Sequence, residues 1–295
     1  MGCKASTECL EDAFCTRIPS MTIVLPEFEE APRRSRGRNV RAGLQRGVGL
    51  KVHNLVEQLH QDKLYNSAME LARNRTILDE RSRMNLYLIL RFGIDGLAAG
   101  HVVEFGTYRG GNALFMAAIC KELYPDMKVY AFDTFEGMPP TDPQRDTYRA
   151  GDFSDAGYDD LLEVIERHKV DNLHLVRGLF EDTAENALKD IGSVTLCHID
   201  CDIYSAVKYS YDVSKKYMVD GGYWVFDDCL YSNCIGAMEA VEEVMIQRDR
   251  RFAEQVFPHL VYRNWPSAEP DHSASRHWIR EADQTSGMSV AQHKN

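Results

Sequence analysis

The sequence predicts an α/β fold in which a doubly wound, mostly parallel sheet carries helices on both faces. Five short runs rich in β-branched and aromatic residues alternate with runs of helical length, an alternation typical of parallel sheets. The chain has 295 residues, 44% of them hydrophobic, so it is long and apolar enough to bury a large core. We therefore expect one large domain with extensions.

The predicted elements follow one another in a regular order. Apolar residues at spacings of three and four over 51–93 predict two or more helices ahead of the first strand. The five strands are HVVEF, KVYAFD, LHLVRG, VTLCHID and GGYWVFDD, and helices are expected near 111–124, 157–169, 181–189 and 205–217. The run IGAMEAVEEVMIQRDRR predicts a further helix. FAEQVF and LVYRNW are candidate antiparallel edge strands, which would complete a seven-stranded sheet.

The ends of the chain differ in composition from its centre. Residues 1–50 include an arginine-rich stretch interleaved with Gly, Ser and Pro, which predicts a disordered basic tail. Residues 51–265 form the predicted domain with its N-terminal helical cap. Residues 266–295 are polar and Ser-rich, and we interpret them as a second tail.

Charge and hydropathy restrict the partners and the location. The formal net charge of −11 argues against nucleic-acid binding, which depends on clustered Lys and Arg, and favours a small-molecule partner. The sequence contains neither a run long enough for a membrane span nor the apolar core of a secretory signal, so we expect a cytoplasmic protein. The first six residues, MGCKAS, match an acylation pattern, and in a eukaryotic host lipids on Gly2 and Cys3 would attach the chain to a membrane.

Eight cysteines are scattered along the chain without a paired C-x-x-C motif, which predicts reduced and mostly buried thiols. Two of them, Cys201 and Cys229, lie beside acidic residues. A metal site with thiolate ligands therefore stays open as a minor alternative.

A glycine-rich turn follows the first predicted strand. In VVEFGTYRGGNA, Glu104 precedes Gly106, Gly110 and Gly111, a spacing that matches neither the dinucleotide motif nor the Walker motif. Such a turn lets a ligand approach the backbone, although a plain tight turn is an equal alternative. Asp133 ends the second strand, where a ribose-binding acid is expected, unless it is simply a loop residue in water. Together these features favour a ligand with a ribose but no phosphate, such as S-adenosylmethionine.

Four aspartates follow the fourth and fifth strands. Asp200 and Asp202 end VTLCHID and its extension, while Asp227 and Asp228 end GGYWVFDD. Neighbouring strand ends lie about 5 Å apart, so these carboxylates would repel one another unless a divalent cation bound between them. Oxygen ligands favour Mg²⁺, with Ca²⁺ or Mn²⁺ as alternatives. Asp202 has a second interpretation, as the N-cap of the next helix.

These motifs, in this order, resemble the macrocin, mycinamicin and novobiocin family of metal-dependent O-methyltransferases. The resemblance covers about 90–265 and rests on VVEFGTYRGGNALFMAA, AFDTFEGMPP, RGLFEDT, HIDCDIYSAVKYSYD and GGYWVFDDC. It implies a class I methyltransferase (Rossmann-like) sheet, a divalent metal and a hydroxylated sugar or secondary metabolite as acceptor. The chain departs from the family at His198, where arginine is usual, and at Cys201, where glycine is usual. The resemblance to the family also implies that the protein can form a homodimer.

The resemblance assigns roles to particular residues. Asp200, Asp227 and Asp228 would be the metal ligands, and Asp200 would also be the general base. The predicted cofactor-binding residues surround the glycine turn and the acidic strand ends: Glu104, Gly106, Thr107, Tyr108, Gly110, Asp133 and Asp202.

Two other functions stay open. Catechol O-methyltransferases hold Mg²⁺ in a related way but use a lysine base, at the position that Ile203 occupies here. A non-catalytic methyltransferase-like binding module is the second alternative. The acidic residues favour the enzyme, because a module without chemistry does not need a costly buried cluster.

Overall fold

The structure is a computed structural model that describes residues 59–265. The predicted tails at 1–50 and 266–295, including the acylation pattern at Gly2 and Cys3, lie outside the described residues. No helix among residues 59–265 combines the length and the apolar character needed to cross a membrane.

Helices precede the sheet. Helix α1 (Lys63–Leu71) and helix α2 (Glu80–Leu88) both begin at aspartate N-caps, and a π-helical turn (Ile89–Gly93) follows α2. The carboxylates of Asp62 and Asp79 accept backbone N–H groups of the first turn, which is the usual reason for aspartate at this position.

Strands and helices then alternate as the sequence predicts. The remaining elements are β1 (His101–Phe105), α3 (Gly111–Leu123), β2 (Val129–Asp133), α4 (Tyr158–His168), β3 (Leu173–Arg177), α5 (Phe180–Ile191), β4 (Val194–Ile199), α6 (Tyr204–Ser214), β5 (Met218–Phe226), α7 (Ile235–Val241), which continues as a π-helix (Glu242–Arg248), and β6 (Leu260–Arg263). Short 3-10 helices follow α6 (Lys215–Tyr217) and β5 (Asp228–Leu230).

The sheet has the order β3-β2-β1-β4-β5-β6. Strands β1 to β5 are parallel, and β6 runs antiparallel to β5. The connections reverse direction between β1 and β4. In open α/β sheets this switch point leaves a crevice at the carboxyl ends of the strands, which is where ligands bind.

Each face of the sheet is covered by its own set of helices. One core packs α1, α2, α3 and α4 against residues such as Val102, Leu196 and Val225. The other packs α5, α6 and α7 against residues such as Val103 and Trp224. The near-continuous apolar sequences of β1 and β4 are explained by this burial on both faces.

The prediction of seven strands is wrong for the described residues, which form six. LVYRNW supplies β6, but FAEQVF contributes only an isolated bridge between Gln255 and Val261. The chain turns back to β6 within a few residues of Gln255, so too little of FAEQVF lies alongside β6 to make a ladder. Phe252 is 85% exposed, so its side chain gains nothing from the sheet.

A candidate active site at the carboxyl ends of the strands

A cavity of about 400 Å³ opens at the carboxyl ends of the strands, at the switch point of the sheet. Every predicted site residue except Gly110 contributes to its walls: Glu104, Gly106, Thr107, Tyr108, Asp133, Asp200, Asp202, Asp227 and Asp228. The volume falls within the range of small-molecule sites. The structure therefore brings the glycine turn and the acidic strand ends together around one space.

Positive φ angles and close contacts explain why glycine occupies two positions of the turn. Gly106 has φ of +84°, and a Cβ there would collide with the backbone carbonyl of Asp200. Gly110 has φ of +75° and lies against the side chain of Leu161, so it serves the turn rather than the cavity. Tyr108 adopts φ of +50° and donates its backbone N–H to Asp133 Oδ2 at 2.8 Å. The turn and the end of β2 are thus held together by an acid that faces the cavity.

Glu104 is the centre of a buried hydrogen-bond network. Its Oε2 accepts from Thr107 Oγ1 at 2.6 Å, and its Oε1 accepts from Asn112 Nδ2 at 2.6 Å. The same Oε1 lies 3.0 Å from Nδ1 of His198, its neighbour on β4. His198 is fully buried, and its Nε2 has no hydrogen-bond partner among the described residues. Glu104, a predicted cofactor-binding residue, therefore also fixes the turn through its hydrogen bonds to Thr107 and Asn112.

Asp133 is positioned to accept further hydrogen bonds. Its Oδ1 accepts from Phe135 N at 2.7 Å and its Oδ2 from Tyr108 N. Burial raises the pKa of Asp133, against the lowering effect of these backbone N–H groups. Each carboxylate oxygen has a second acceptor site, so two hydroxyl groups can still bind.

Three aspartates converge at the ends of β4 and β5. Asp200, Asp227 and Asp228 each offer one oxygen, and these atoms lie within 4.8 Å of one another. Burial raises the pKa of Asp200 well above its ordinary value, and repulsion from Asp227 and Asp228 adds to this. The pKa of Asp228 is raised in the same way, by burial first and by Asp202 and Asp227 next. A cluster of this kind is stabilised by protons or by a bound cation.

Asp202 belongs to the same acidic group but does not cap the next helix. It has φ of +60°, donates its backbone N–H to Asp228 Oδ2 at 2.7 Å, and accepts from Cys234 Sγ at 3.5 Å. Burial raises the pKa of Asp202 to about 6. The first N–H of α6 is instead accepted by Asp146 Oδ1 at 2.8 Å. The N-cap interpretation of Asp202 is therefore wrong.

A second possible cation group combines carboxylates and a thiol. Ligand atoms of Asp202, Asp228 and Cys234 also lie within 4.8 Å of one another. The alternative of a metal site with thiolate ligands is based on Cys201 and Cys229, and neither cysteine belongs to this group. The five described cysteines are all buried and free, as predicted: Cys120, Cys197, Cys201, Cys229 and Cys234.

Sequence reasoning missed several walls of the cavity. Residues 76–79, between α1 and α2, reach it because Gly111 N donates to Arg75 O at 3.2 Å and fixes the loop against α3. Tyr148 and Asn233 come from two other loops and are joined by a hydrogen bond of 2.6 Å. None of these residues forms a local motif, and their contacts cross 36 residues or more.

Two side chains behind the cluster were also missed. Ser82 Oγ donates to Asp227 Oδ1 at 3.2 Å, and His259 Nε2 lies 3.1 Å from the same oxygen. Both residues are completely buried. Burial lowers the pKa of His259, against the opposing effect of Asp227.

The fold and the cavity define a class I methyltransferase architecture. Two solved structures share it: a calicheamicin methyltransferase, CalS11, and the O-methyltransferase NovP. CalS11 is 22% identical with a TM-score of 0.55, over 79% of this chain and 95% of that one. NovP is 20% identical with a TM-score of 0.52, over 68% of this chain and 88% of that one.

The family follows from the sequence comparison. The family model described as Macrocin-O-methyltransferase (TylF) matches residues 80–251, which is more than half of the chain. The chain belongs to this family of S-adenosylmethionine-dependent O-methyltransferases. A curated relative from Streptomyces olivaceus is 25% identical over 150 residues: 8-demethyl-8-(2,3-dimethoxy-alpha-L-rhamnosyl)-tetracenomycin-C 4'-O-methyltransferase. The matched stretch covers 47% of this chain and 56% of that relative, so it spans about half of the relative's length.

Proposed function

We propose that this protein transfers a methyl group from S-adenosylmethionine to a hydroxyl of a sugar or related secondary metabolite, with a divalent cation held by Asp200, Asp227 and Asp228. The observation that carries the proposal is the convergence of these three carboxylates in the same cavity as the glycine turn and Asp133. Family membership supports the reaction, and the names of the tetracenomycin and calicheamicin relatives support the acceptor class.

The residues at the strand ends fit a hard divalent cation. All three donors are carboxylate oxygens, the ligands that Mg²⁺, Ca²⁺ and Mn²⁺ prefer. Burial first, and repulsion among the aspartates next, raise the pKa of Asp200 and of Asp228, so a bound cation would stabilise their ionised forms. When bound there, a cation would supply the positive charge that lowers the pKa of an acceptor hydroxyl and fixes its position. A vicinal diol, with two neighbouring oxygens, suits such a site.

Asp200 is the best placed base. It lies at the end of β4, next to the switch point, and it lines the cavity. Burial and the neighbouring aspartates raise its pKa, so its carboxylate has a higher proton affinity than an exposed one. In the proposed reaction, the acceptor oxygen forms a bond to the methyl carbon while the bond from that carbon to sulfur breaks, which leaves the neutral thioether S-adenosylhomocysteine, and one oxygen of Asp200 takes the hydroxyl proton.

The opposite side of the cavity fits the methyl donor. S-adenosylmethionine supplies a methyl group on a positively charged sulfur atom. Asp133 is proposed to accept the ribose hydroxyls on its free acceptor sites, and the backbone of Gly106, Thr107 and Tyr108 allows close approach. Asp202, with a pKa of about 6, is mostly ionised at neutral pH and is proposed to face the cationic end of the donor. Glu104 is proposed to act by bracing the turn as well as by lining the cavity.

The site gives no support to a catechol-type base. Ile203, at the position of the lysine in catechol enzymes, is fully buried and apolar. The acceptor is proposed to enter between the 76–79 loop and the Tyr148–Asn233 pair, beside Tyr231. Aromatic and polar side chains there suit the ring of a sugar or of a related secondary metabolite.

Calorimetric titration tests the proposal and separates it from a non-catalytic module. Wild-type protein should bind S-adenosylmethionine, and it should bind Mg²⁺ after exhaustive removal of metals. Asp200→Asn and Asp227→Asn should lose Mg²⁺ binding. Asp220→Asn, an exposed aspartate on β5 outside the cavity, is the matched control and should bind both ligands as the wild type does.

Two results would contradict the proposal. If neither ligand binds, the fold serves another purpose. If Mg²⁺ binds equally well to Asp227→Asn, the cation lies elsewhere. A panel of glycosides with and without neighbouring hydroxyls, assayed for methyl transfer, then identifies the acceptor class.

A further inference from the structure

Two buried side chains contact the carboxylate of Asp227 from outside the cavity. Ser82 Oγ, on α2, donates to Asp227 Oδ1 at 3.2 Å. His259, directly before β6, places Nε2 at 3.1 Å from the same oxygen, a close polar contact that does not meet the geometry of a hydrogen bond. Oδ1 of Asp227 therefore contacts groups behind the cluster, while Oδ2 makes no hydrogen bond among the described residues.

The other imidazole nitrogen of His259 ends a chain of amide groups. Asn85 Nδ2 lies 3.0 Å from His259 Nδ1. Asn85 Oδ1 accepts from Gln255 Nε2 at 2.9 Å, and the same Gln255 nitrogen donates to the backbone carbonyl of Phe257 at 3.0 Å. Asn85 and His259 are both buried, so water does not compete at that contact.

This series of amide hydrogen bonds determines which nitrogen of His259 carries the proton. A backbone carbonyl only accepts, so Gln255 must turn its NH₂ group toward Phe257 and hence toward Asn85. Asn85 then faces Gln255 with its oxygen and His259 with its NH₂ group. Because that NH₂ group only donates, Nδ1 of His259 must accept, and the ring proton lies on Nε2. The positive end of this N–H bond then lies near the Asp227 carboxylate, whose Oδ1 is 3.1 Å from Nε2.

We propose that Asn85 and Gln255 are positioning residues that hold His259 in its Nε2–H tautomer, so that His259 and Ser82 together orient Asp227 for the divalent cation. The inference rests on the proposed function, since it takes Asp227 to be a metal ligand. Its physical effect is preorganisation: a carboxylate already held by the Ser82 hydrogen bond and by the nearby imidazole N–H loses less freedom when a cation binds. The opposite tautomer would direct a lone pair at the carboxylate and repel it.

The first test exploits two substitutions that retain different halves of the imidazole. In His259→Gln the amide nitrogen can occupy the position of Nε2, and in His259→Asn it can occupy that of Nδ1. We expect His259→Gln to bind Mg²⁺ nearly as tightly as wild type, and His259→Asn to bind it about tenfold more weakly or worse. Ser82→Ala should weaken Mg²⁺ binding as well. All are measured by calorimetry on the metal-free full-length chain, with S-adenosylmethionine affinity as the control that should not change.

The second test observes the tautomer directly. Nitrogen NMR of the wild-type chain with labelled histidine should show His259 protonated at Nε2, and Asn85→Leu should remove that preference and weaken Mg²⁺ binding. His174→Asn is the matched control. His174 is a partly buried histidine on β3, stacked on Tyr130 and absent from the cavity, so the variant should bind Mg²⁺ as wild type does.

The outcomes separate this inference from the proposed function. It is overturned if wild-type His259 carries its proton on Nδ1, or if His259→Asn binds Mg²⁺ as tightly as the wild type while Asp227→Asn does not. If the wild type does not bind Mg²⁺, or Asp227→Asn binds it equally well, the proposed metal site fails and this inference fails with it. The NMR measurement needs no variant, so a His259 or Asn85 variant that does not fold leaves the test intact.

Discussion

Replacing Asp202 by asparagine should stabilise the metal-free protein by an amount that depends on pH. Burial first, and repulsion from Asp227 and Asp133 as well, raise the pKa of Asp202 from 3.8 to about 6, against hydrogen bonds with Cys234 and Asp228 that lower it. The folded chain therefore keeps this proton to a higher pH than the unfolded chain does. The free energy of unfolding falls as the pH rises from 3.8 through about 6, and above that the loss is complete. At about 1.4 kcal/mol per pKa unit, the loss amounts to about 3 kcal/mol as an upper value.

Asparagine imitates the protonated acid at every pH. It tolerates the φ of +60° at this position, and its side-chain oxygen can still accept from Cys234. Asp202→Asn should therefore change stability little at pH 4 and add up to about 3 kcal/mol at pH 8. For a domain of this size, that gain raises the melting temperature by roughly 6–12 °C.

Thermal and urea unfolding of chelator-treated protein at pH 4 and pH 8 would measure the effect. Asp220→Asn, at an exposed aspartate, should show no gain at either pH. Saturating Mg²⁺ should reduce the gain of Asp202→Asn, because the cation offsets the same repulsion. Equal stability of Asp202→Asn and wild type at pH 8 without metal, or a gain that is the same at both pH values, would refute the reasoning.

Three further predictions concern the turn, the cofactor and the metal. Gly106→Ala should lower the free energy of unfolding, measured in denaturant, by more than Gly151→Ala does. Both glycines have positive φ, but only at Gly106 would the added Cβ meet backbone atoms. Gly151→Ala should cost about 1–2 kcal/mol. Asp133→Ala should weaken S-adenosylmethionine binding about tenfold or more and leave Mg²⁺ affinity unchanged in calorimetry, since hydrogen bonds to a charged group contribute about 1.5–3 kcal/mol. Exhaustive chelation should abolish methyl transfer and added Mg²⁺ should restore it; turnover that persists without metal would exclude the proposed role of the cation.

The elements with a strong local pattern were predictable. The five parallel strands and the helices between them lie where the alternation of strand-like and helical runs predicts them, because the central strands β1 and β4 are buried on both faces and helices cover each side of the sheet. FAEQVF failed as a strand because strand propensity requires a partner along its whole length, and this segment turns back too soon. Asp202 failed as an N-cap because its backbone and side chain are used by Asp228 and Cys234, while Asp146 takes the cap position from a distant loop.

By itself, the sequence determined the sheet and the acids at its edge. The carboxyl ends of parallel strands meet at one edge, so aspartates at those positions converge whatever the loops do. Only the tertiary structure decided what surrounds them. Ser82 lies 145 residues from Asp227, and Asn85 lies 174 residues from His259. Such pairs leave no local pattern, because their contacts depend on how α2 and β6 pack against the sheet rather than on the sequence beside them.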